Sequence, residues 1–176
     1  MDLKYTNDRL NFPSTLRNRS SIAAVLRKYI HDKGMVLEIA SGSGEHGVAF
    51  QKRFENISWQ TSDPNPSYRR SISAWIDHYG LSKKMLTPID LDVEKRPWPI
   101  NKDIESALEA IICINMLHIS PWSCTKALFE ESRRILKKDK LLIIYGPFKI
   151  KGEHTSESNF LFDKTLEAQN KFWGVR

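Results

Sequence analysis

A short segment near the start of the chain combines an acid, small residues and glycines in an order suited to a nucleoside ligand. In residues 36–47, an apolar run that carries Glu38 near its end opens through small residues into a segment that can begin a helix. Gly42 and Gly44 leave room for a ligand where a Cβ would clash, and Gly47 permits close packing of the helix on the strand. This order is typical of the first strand–turn–helix unit of a nucleotide-binding α/β sheet.

A second acid, Asp63, follows the next strand-like run at residues 57–62. A carboxylate there can accept hydrogen bonds from both hydroxyls of a ribose, although an aspartate before Pro64 can also serve only as a helix cap. Glu38 helps to distinguish between a dinucleotide and a cationic ligand. Its negative charge would repel a pyrophosphate, whereas it is tolerated or useful beside a cation. The pattern therefore favours S-adenosylmethionine, which carries a sulfonium and an ammonium group, over a dinucleotide.

Strand-like and helix-like patterns alternate along the rest of the chain. We expect strands over residues 35–40, 57–62, 85–90, 108–114 and 140–145. We expect helices over residues 21–31, 45–54, 67–79, 121–136 and 156–170, with Ser20 and Ser120 as caps. Strands that are apolar on both faces and alternate with helices predict a doubly wound, mostly parallel α/β sheet of the Rossmann-like type. Residues 1–176 then form a single domain, with residues 1–19 as an irregular N-terminal arm and residues 146–154 as a loop.

The end of the predicted sheet has a distinctive feature. No strand-like run follows residue 145, so the antiparallel strand pair that closes many such sheets is not predicted. The strand over residues 140–145 would then be an apolar edge, which is an association hazard. We expect either that the helix over residues 156–170 folds across this edge or that two chains pair there as a homodimer.

Polar residues cluster where the predicted strands end, which is where parallel sheets bind ligands. These ends carry residues 38–44, Asp63, Asp90 with Asp92, Asn115 with His118, and Tyr145 with Gly146. Glu38 can bind an ammonium group, or it can be a structural acid that accepts backbone amide bonds. Asn115 can bond the methionine part of the cofactor or an acceptor. His118 can act as a general base, since an imidazole titrates near neutral pH, or it can bond backbone groups at the strand–helix junction.

Composition and charge exclude several classes of protein. Hydrophobic content of 40% and charged content of 27% are ordinary for a globular protein, and no apolar stretch is long enough to span a bilayer. Cys113 and Cys124 lack metal-ligand spacing and predict buried thiols in a reducing cytoplasm. The net charge of +6 comes from basic residues spread along the chain, which does not favour nucleic acid binding. We expect a cytoplasmic protein with no metal and no membrane partner.

Several blocks together resemble one family of class I S-adenosylmethionine-dependent methyltransferases, the methyltransferase-like protein 26 family, also described as domain of unknown function 938. The similar segments are Arg17-Asn18 and residues 37–44, 59–63, 91–93, 115–121, 128–129, 145–148, 158–159, 162–163 and 173–176. The blocks Asn115-Met116-Leu117-His118-Ile119-Ser120-Pro121 and Tyr145-Gly146-Pro147-Phe148 are the most specific. The resemblance implies a methyltransferase fold with S-adenosylmethionine as cofactor and an unidentified acceptor, a small molecule or a protein.

The resemblance also bears on individual residues. It implies that Asp92 lies beside the adenine amino group and accepts a hydrogen bond from it. Asp90 is the alternative residue for this contact. Ala40 stands where the general methyltransferase pattern has its first glycine. Members of the family continue beyond the block at residues 173–176 into a further helix and a closing strand pair. Two alternatives stay open: a catalytically silent S-adenosylmethionine-binding module, and an NAD(P)-dependent oxidoreductase, which Glu38 and the lack of a Tyr-x-x-x-Lys motif disfavour.

Overall fold

Residues 8–30 and 33–176, which the computed structural model describes, are organised around a four-stranded parallel sheet. Its strands are β1 (Gly34–Ile39), β2 (Ile57–Thr61), β3 (Leu108–Ile114) and β4 (Leu141–Tyr145). They lie in the order β2-β1-β3-β4, and every neighbouring pair is parallel. The chain runs from β1 outward to β2 and then crosses to the other side of β1, so the strand order reverses between β1 and β3. This topology confirms the predicted doubly wound, mostly parallel α/β fold.

Helices cover both faces of the sheet. They are α1 (Pro13–Leu26), α2 (Glu45–Gln51), α3 (Pro66–His78), α4 (Lys102–Ala107), α5 (Trp122–Ile135) and α6 (Glu157–Gln169), with a short 3-10 helix at Leu117–Ile119. Alternation along β1 sends Val36 into the core beneath α1, α2 and α3, and Leu37 into the core beneath α4 and α5. In the part of the chain that the structure describes, no helix is long and apolar enough to cross a membrane.

The first helix corrects the predicted N-terminal arm. Helix α1 begins at Pro13 instead of after Ser20, so residues 13–19 are helical. Proline suits the first position of a helix because its φ is already helical and its missing N–H would have no partner there. The helix ends at Leu26. The predicted end at His31 and the first part of the arm, residues 1–7, lie outside the described residues.

Two further predictions about the elements are wrong, and one helix was not predicted. The predicted strand over residues 85–90 is reduced to a single bridge between Ile89 and Ser62, beside Pro88, which cannot donate to a ladder. Ser120 does not cap α5, because its hydroxyl donates to the Met116 carbonyl instead. Helix α4 was not predicted, although Asn101 caps it by accepting a hydrogen bond from the Ile104 N–H.

The region after β4 contains a small hairpin where a loop was predicted. Strands β5 (Lys149–Ile150) and β6 (Glu153–His154) pair antiparallel in a separate two-stranded sheet, and none of the described strands closes the main sheet in the antiparallel sense. Helix α6 packs against β6 instead of along β4. The two ends of β4, Leu141 and Tyr145, are 36% and 41% exposed. The expectation that this helix covers the edge strand is therefore wrong.

Candidate functional site

A cavity of about 650 Å³ opens where β1, β2 and β3 end, beside helix α1. This volume lies within the usual range of ligand sites, and the position is the point where the strand order reverses. The predicted site residues that line it are Glu38, Ala40, Gly42, Asp63, Asp92, Asn115 and His118. Residues that the sequence placed at different strand ends are therefore brought to one cavity.

The turn after β1 forms one wall of the cavity. Gly42 has a φ of +56°, and its N–H donates to Asp63 Oδ2 over 3.0 Å. A Cβ at this position would lie 3.2 Å from a ring carbon of Phe12, so glycine allows the Phe12 ring to lie close to the turn. Gly44 lies outside the cavity wall, and a Cβ there would be 2.8 Å from the Cα of Ile72 in α3. Its observed role is helix packing, and its contact with a cofactor stays a prediction.

Two residues other than glycine take up a left-handed backbone at the cavity. Ala40 follows β1 with a φ of 54°, and Asn115 follows β3 with a φ of 59°. The Asn115 N–H donates to the Tyr145 carbonyl over 2.8 Å, which helps to hold this conformation. Such backbone conformations are uncommon and concentrate at functional sites, because packing must hold them in place.

Glu38 is an almost completely buried acid, only 1% exposed, at the base of the cavity. Its Oε2 accepts a hydrogen bond from Trp59 Nε1 over 2.8 Å. A Cβ at Gly47 would lie 2.8 Å from the same oxygen. Because Gly47 has no side chain, α2 can pack closely on β1, as predicted, and cover the carboxyl group. Burial, with a smaller contribution from the charge of Asp63, raises the pKa of Glu38 to about 8. The carboxyl group therefore holds its proton at neutral pH unless a cation approaches it.

Asp63 is buried at the end of β2 and holds the turn together. Its Oδ2 accepts from the Gly42 N–H, and its Oδ1 accepts from the Asn65 N–H over 2.9 Å. Burial raises the pKa of Asp63 above its ordinary value despite these bonds. The cap of α3 is Asn65, whose side chain accepts from the Ser67 N–H, so Asp63 is not the helix cap. Each carboxylate oxygen retains a lone pair that can accept from a ligand hydroxyl.

The structure separates Asp92 from its competitor Asp90. Asp92 lines the cavity, and its Oδ1 accepts from the Glu94 N–H over 3.1 Å. Asp90 is exposed and forms an ion pair of 2.9 Å with Arg69 on the outer surface. Asp92 is therefore the one of these two acids that faces the cavity, and its Oδ2 lies 3.6 Å from Nζ of the exposed Lys95.

His118 lies on the opposite wall, in the 3-10 helix after β3. It is 6% exposed, and its ring lies edge-on to Phe162 at a centroid distance of 5.5 Å. Burial, together with the charge of Arg176, lowers the pKa of His118 to about 4, so the imidazole is neutral at physiological pH. Among the described residues, neither ring nitrogen of His118 has a hydrogen-bond partner. A neutral imidazole of this kind can accept a hydrogen bond from a ligand hydroxyl or amine.

Helix α1 contributes two features to the site, from residues that were predicted to lie in an irregular arm facing the cavity. Arg17 lines the cavity, and Asn18 Oδ1 lies 2.8 Å from Nε2 of His46, which joins α1 to α2. Burial lowers the pKa of His46 to about 4, so this ring also stays neutral. Proline at position 13, which suits the first turn of a helix, was the signal that could have revealed where this helix begins.

Comparison with known families gives a match over almost the whole described chain. The family model described as "Protein of unknown function (DUF938)" matches residues 9–176. The match includes the turn after β1, the end of β3 and the C-terminal block at residues 173–176.

Comparison with solved structures identifies methyltransferases of low sequence identity. An O-methyltransferase family protein from Burkholderia thailandensis superposes with a TM-score of 0.72 at 12% identity, covering 93% of this chain and 48% of that protein. Human N-acetylserotonin methyltransferase, solved with S-adenosylmethionine, gives 0.68 at 12% identity, covering 93% and 43%. Geranyl diphosphate C-methyltransferase from Streptomyces coelicolor A3(2), solved with Mg²⁺, geranyl diphosphate and S-adenosylhomocysteine, gives 0.66 at 14% identity, covering 92% and 56%. The chain has this methyltransferase fold and spans about half the length of these neighbours.

Proposed function

Since the chain belongs to the DUF938 family and has the methyltransferase fold, we propose that it is an S-adenosylmethionine-dependent methyltransferase of the methyltransferase-like protein 26 type. The observation that supports this most is the distribution of charge in the cavity. The wall contains three buried or half-buried acids, Glu38 in β1, Asp63 after β2 and Asp92 in the loop before α4. Arg17 is the one Lys or Arg side chain among the described residues of the wall. S-adenosylmethionine has complementary groups: hydroxyls, an amine, an ammonium and a carboxylate.

The adenosine part fits the side of the cavity formed by the ends of β1 and β2. Asp63 would accept bonds from the ribose hydroxyls, and Asp92 would accept from the adenine amino group. The left-handed turn at Gly42 presents backbone instead of a side chain, which gives a ligand room to lie against it. Leu91 and Val93 flank Asp92 in the cavity wall and supply apolar contacts for the base.

The amino-acid part fits the side of the cavity beneath α2 and α1. Glu38 would ionise as it binds the ammonium group, because an opposite charge restores the charged form of a buried acid. Arg17 would bind the carboxylate, for which a guanidinium is the best-matched partner. Ala40 and Asn115 would contribute backbone and amide contacts between these charges.

The cofactor, when bound, supplies a methyl group on an already activated sulfonium. The contribution of this chain is therefore mainly to position the acceptor and to exclude water. His118 would accept the hydrogen bond of an acceptor hydroxyl or amine, since its imidazole is neutral and unengaged. Its low pKa means that it would pass the acceptor's proton on to solvent and not retain it. The acceptor is a small molecule or a protein, the compartment is the cytoplasm, and neither a membrane nor a metal takes part.

Ligand titration tests the cofactor assignment. Titration calorimetry with S-adenosylhomocysteine, S-adenosylmethionine, NAD and NADP should show micromolar binding of both adenosyl compounds, equivalent to about 8 kcal/mol, and no binding of the nicotinamide cofactors. Binding of NAD or NADP in their place would support the oxidoreductase alternative and contradict the proposal.

The His118→Asn variant separates binding from chemistry. Its affinity for S-adenosylhomocysteine should remain within about twofold of that of the wild type, while any methyl transfer should fall by roughly a hundredfold, as for loss of a general base. Transfer is measured as the release of S-adenosylhomocysteine. Loss of cofactor binding or of folding in this variant would show that His118 is structural. Cofactor binding by the wild type without turnover on any acceptor would support the catalytically silent module.

A further inference from the structure

The charged groups of the cavity wall are all matched by the groups of the proposed cofactor. Glu38 and Arg17 face the amino-acid end, and Asp63 and Asp92 face the adenosine end. If this proposed function holds, no charged side chain of the described wall remains for the acceptor. An acceptor that brought its own charge into this space would lose hydration without gaining a partner, which is costly.

One part of the remaining wall, which we call the acceptor wall, is uncharged. It consists of Met116, His118, Ile119, Pro147 and Phe162, and the neighbouring Ser120 hydroxyl is engaged because it donates to the Met116 carbonyl. These residues come from the end of β3, the loop after β4 and helix α6, so three separate parts of the chain converge on it. The neutral His118 ring is the wall's polar group, and its contact with Phe162 places an aromatic edge beside it.

Charges close to the acceptor wall are engaged elsewhere. The Arg176 guanidinium donates to the carbonyls of Leu117 and Ser120 over 3.1 and 2.7 Å and is not part of the cavity wall. Asp163, next to Phe162 in sequence, is 2% exposed and pairs with Lys149 over 2.8 Å. Neither side chain lines the cavity, so neither pairs directly with a ligand there, although the charge of Arg176 acts on His118.

The mouth of the acceptor wall exposes apolar surface to solvent. Ile119 and Phe162 are 45% and 39% exposed, although both are large apolar side chains. Exposed apolar side chains that line a cavity, instead of standing singly on the surface, indicate an apolar ligand.

From these observations we propose that the acceptor is an uncharged, largely apolar compound with one hydroxyl or aromatic amine, such as a phenol, and not an anionic or cationic metabolite. The compound lies against Phe162, Pro147 and Ile119, with its polar group directed to His118. The apolar wall determines specificity by excluding charged competitors, and the single imidazole selects for one hydrogen-bonding group.

A matched pair of probes tests the charge preference directly. The probes are 2-naphthol and 2-naphthoate, which share a ring system and differ in charge. Affinities are measured by ligand-observed NMR with and without saturating S-adenosylhomocysteine. With saturating S-adenosylhomocysteine we expect 2-naphthol to bind at least about tenfold more tightly than 2-naphthoate. Without it the preference should be smaller, because Arg17 is then free to attract the 2-naphthoate carboxylate. Equal affinities, tighter binding of 2-naphthoate or binding of neither probe would overturn the assignment.

The two conditions distinguish this inference from the proposed function. Selective 2-naphthol binding by a protein that does not bind S-adenosylhomocysteine would contradict the cofactor proposal and leave the acceptor wall in place. Cofactor binding without selectivity between the probes would contradict the acceptor assignment and leave the cofactor proposal in place.

Two variants place the probe on the acceptor wall. Phe162→Ala should weaken 2-naphthol binding roughly two- to tenfold through loss of an aromatic contact, whereas Leu161→Ala, exposed on the same helix and outside the cavity wall, should leave it unchanged. Ile119→Lys introduces a cation and should shift the preference towards 2-naphthoate by about tenfold. S-adenosylhomocysteine affinity, measured for each variant, should stay at the wild-type value. Unchanged probe binding in both variants would contradict the proposed location.

Discussion

A carboxyl group as deeply buried as that of Glu38 is costly unless its charge has a partner. The Trp59 indole satisfies one oxygen, but a single neutral donor does not offset the burial, and the pKa rises to about 8. The residue thus stays neutral in the unliganded protein and can become charged when an ammonium group binds. Cofactor binding and release of the Glu38 proton are then coupled.

The shifted pKa of Glu38 predicts how stability depends on pH. From about pH 4.5 to about pH 8 the folded protein keeps the Glu38 proton while the unfolded chain has lost it, so the free energy of unfolding falls as pH rises. Glu38→Gln retains an acceptor for Trp59 and cannot ionise. Its melting temperature should therefore fall less across this window than that of the wild type, measured by thermal melts without ligand. Glu55→Gln, an exposed control, should follow the wild type, and equal slopes for all three proteins would contradict the assignment.

Asp63 provides a second prediction at the scale of one side chain. Asp63→Ala should weaken S-adenosylhomocysteine binding by about 1.5–3 kcal/mol, because charge-assisted bonds to the ribose are lost and the Gly42 N–H loses its acceptor. Calorimetric titration measures the change. Asp90→Ala removes a nearby exposed acid outside the cavity wall and should leave the affinity unchanged. An equal loss in both variants would point to general electrostatics instead of a specific contact.

At the scale of elements, Asp163 joins the C-terminal parts of the structure. From helix α6 it pairs with Lys149 of β5 over 2.8 Å and with His154 of β6 over 3.1 Å, and it accepts from the Val175 N–H over 2.6 Å. Burial by itself would raise the pKa of Asp163, but the bonds from Lys149 and Val175 outweigh it and hold the pKa below its ordinary value. One carboxylate thus fixes the helix that presents Phe162 to the cavity.

Removing this carboxylate should loosen the C-terminal elements before the rest of the fold. In Asp163→Asn we expect the α6 and hairpin amides to exchange faster by an amount equivalent to about 2–4 kcal/mol, because a buried charge network loses its centre. Hydrogen exchange with mass spectrometry measures this, with the amides of β1 to β3 as an internal reference. Glu167→Gln, on the exposed side of the same helix, should have little effect. Uniform exchange across the molecule in Asp163→Asn would contradict a local role.

At the scale of the whole molecule, β4 remains an open edge of the main sheet. Both of its terminal residues are exposed, and α6 packs elsewhere. An apolar strand with free backbone groups is a template for pairing with another chain. Of the two expectations for this edge, coverage by α6 and pairing of two chains, only the pairing remains.

We therefore predict that this 176-residue chain forms a concentration-dependent dimer through β4. Multi-angle light scattering over a concentration series should show the dimer, and the double variant Leu141→Lys/Tyr145→Lys should be monomeric because like charges then face each other across the pair. Val25→Lys, an exposed change on α1, is the control and should remain dimeric. A wild-type chain that is strictly monomeric at all concentrations would contradict this prediction.

Short-range patterns in the sequence were sufficient for the architecture and the position of the cavity. The strand–turn–helix unit around Gly42 and the alternation of strands with helices depend on neighbouring residues, whose spacing is visible along the chain. Parallel strands then bring their carboxyl ends to one edge, which is why Glu38, Asp63 and Asn115 could be assigned to one cavity. The helix at residues 13–19 was accessible in the same way and was missed because its polar residues suggest a loop.

Only the tertiary structure decided what each of these groups does there. The protonation of Glu38 depends on its burial, which outweighs the hydrogen bond from Trp59. Asp92 lines the cavity, whereas Asp90 pairs with Arg69 outside it. Packing also showed that Gly44 lies against Ile72 of α3 and not in the cavity wall. Burial and pairing result from contacts between residues that are distant in sequence, and a linear pattern carries no information about which distant groups will exclude water from a given side chain.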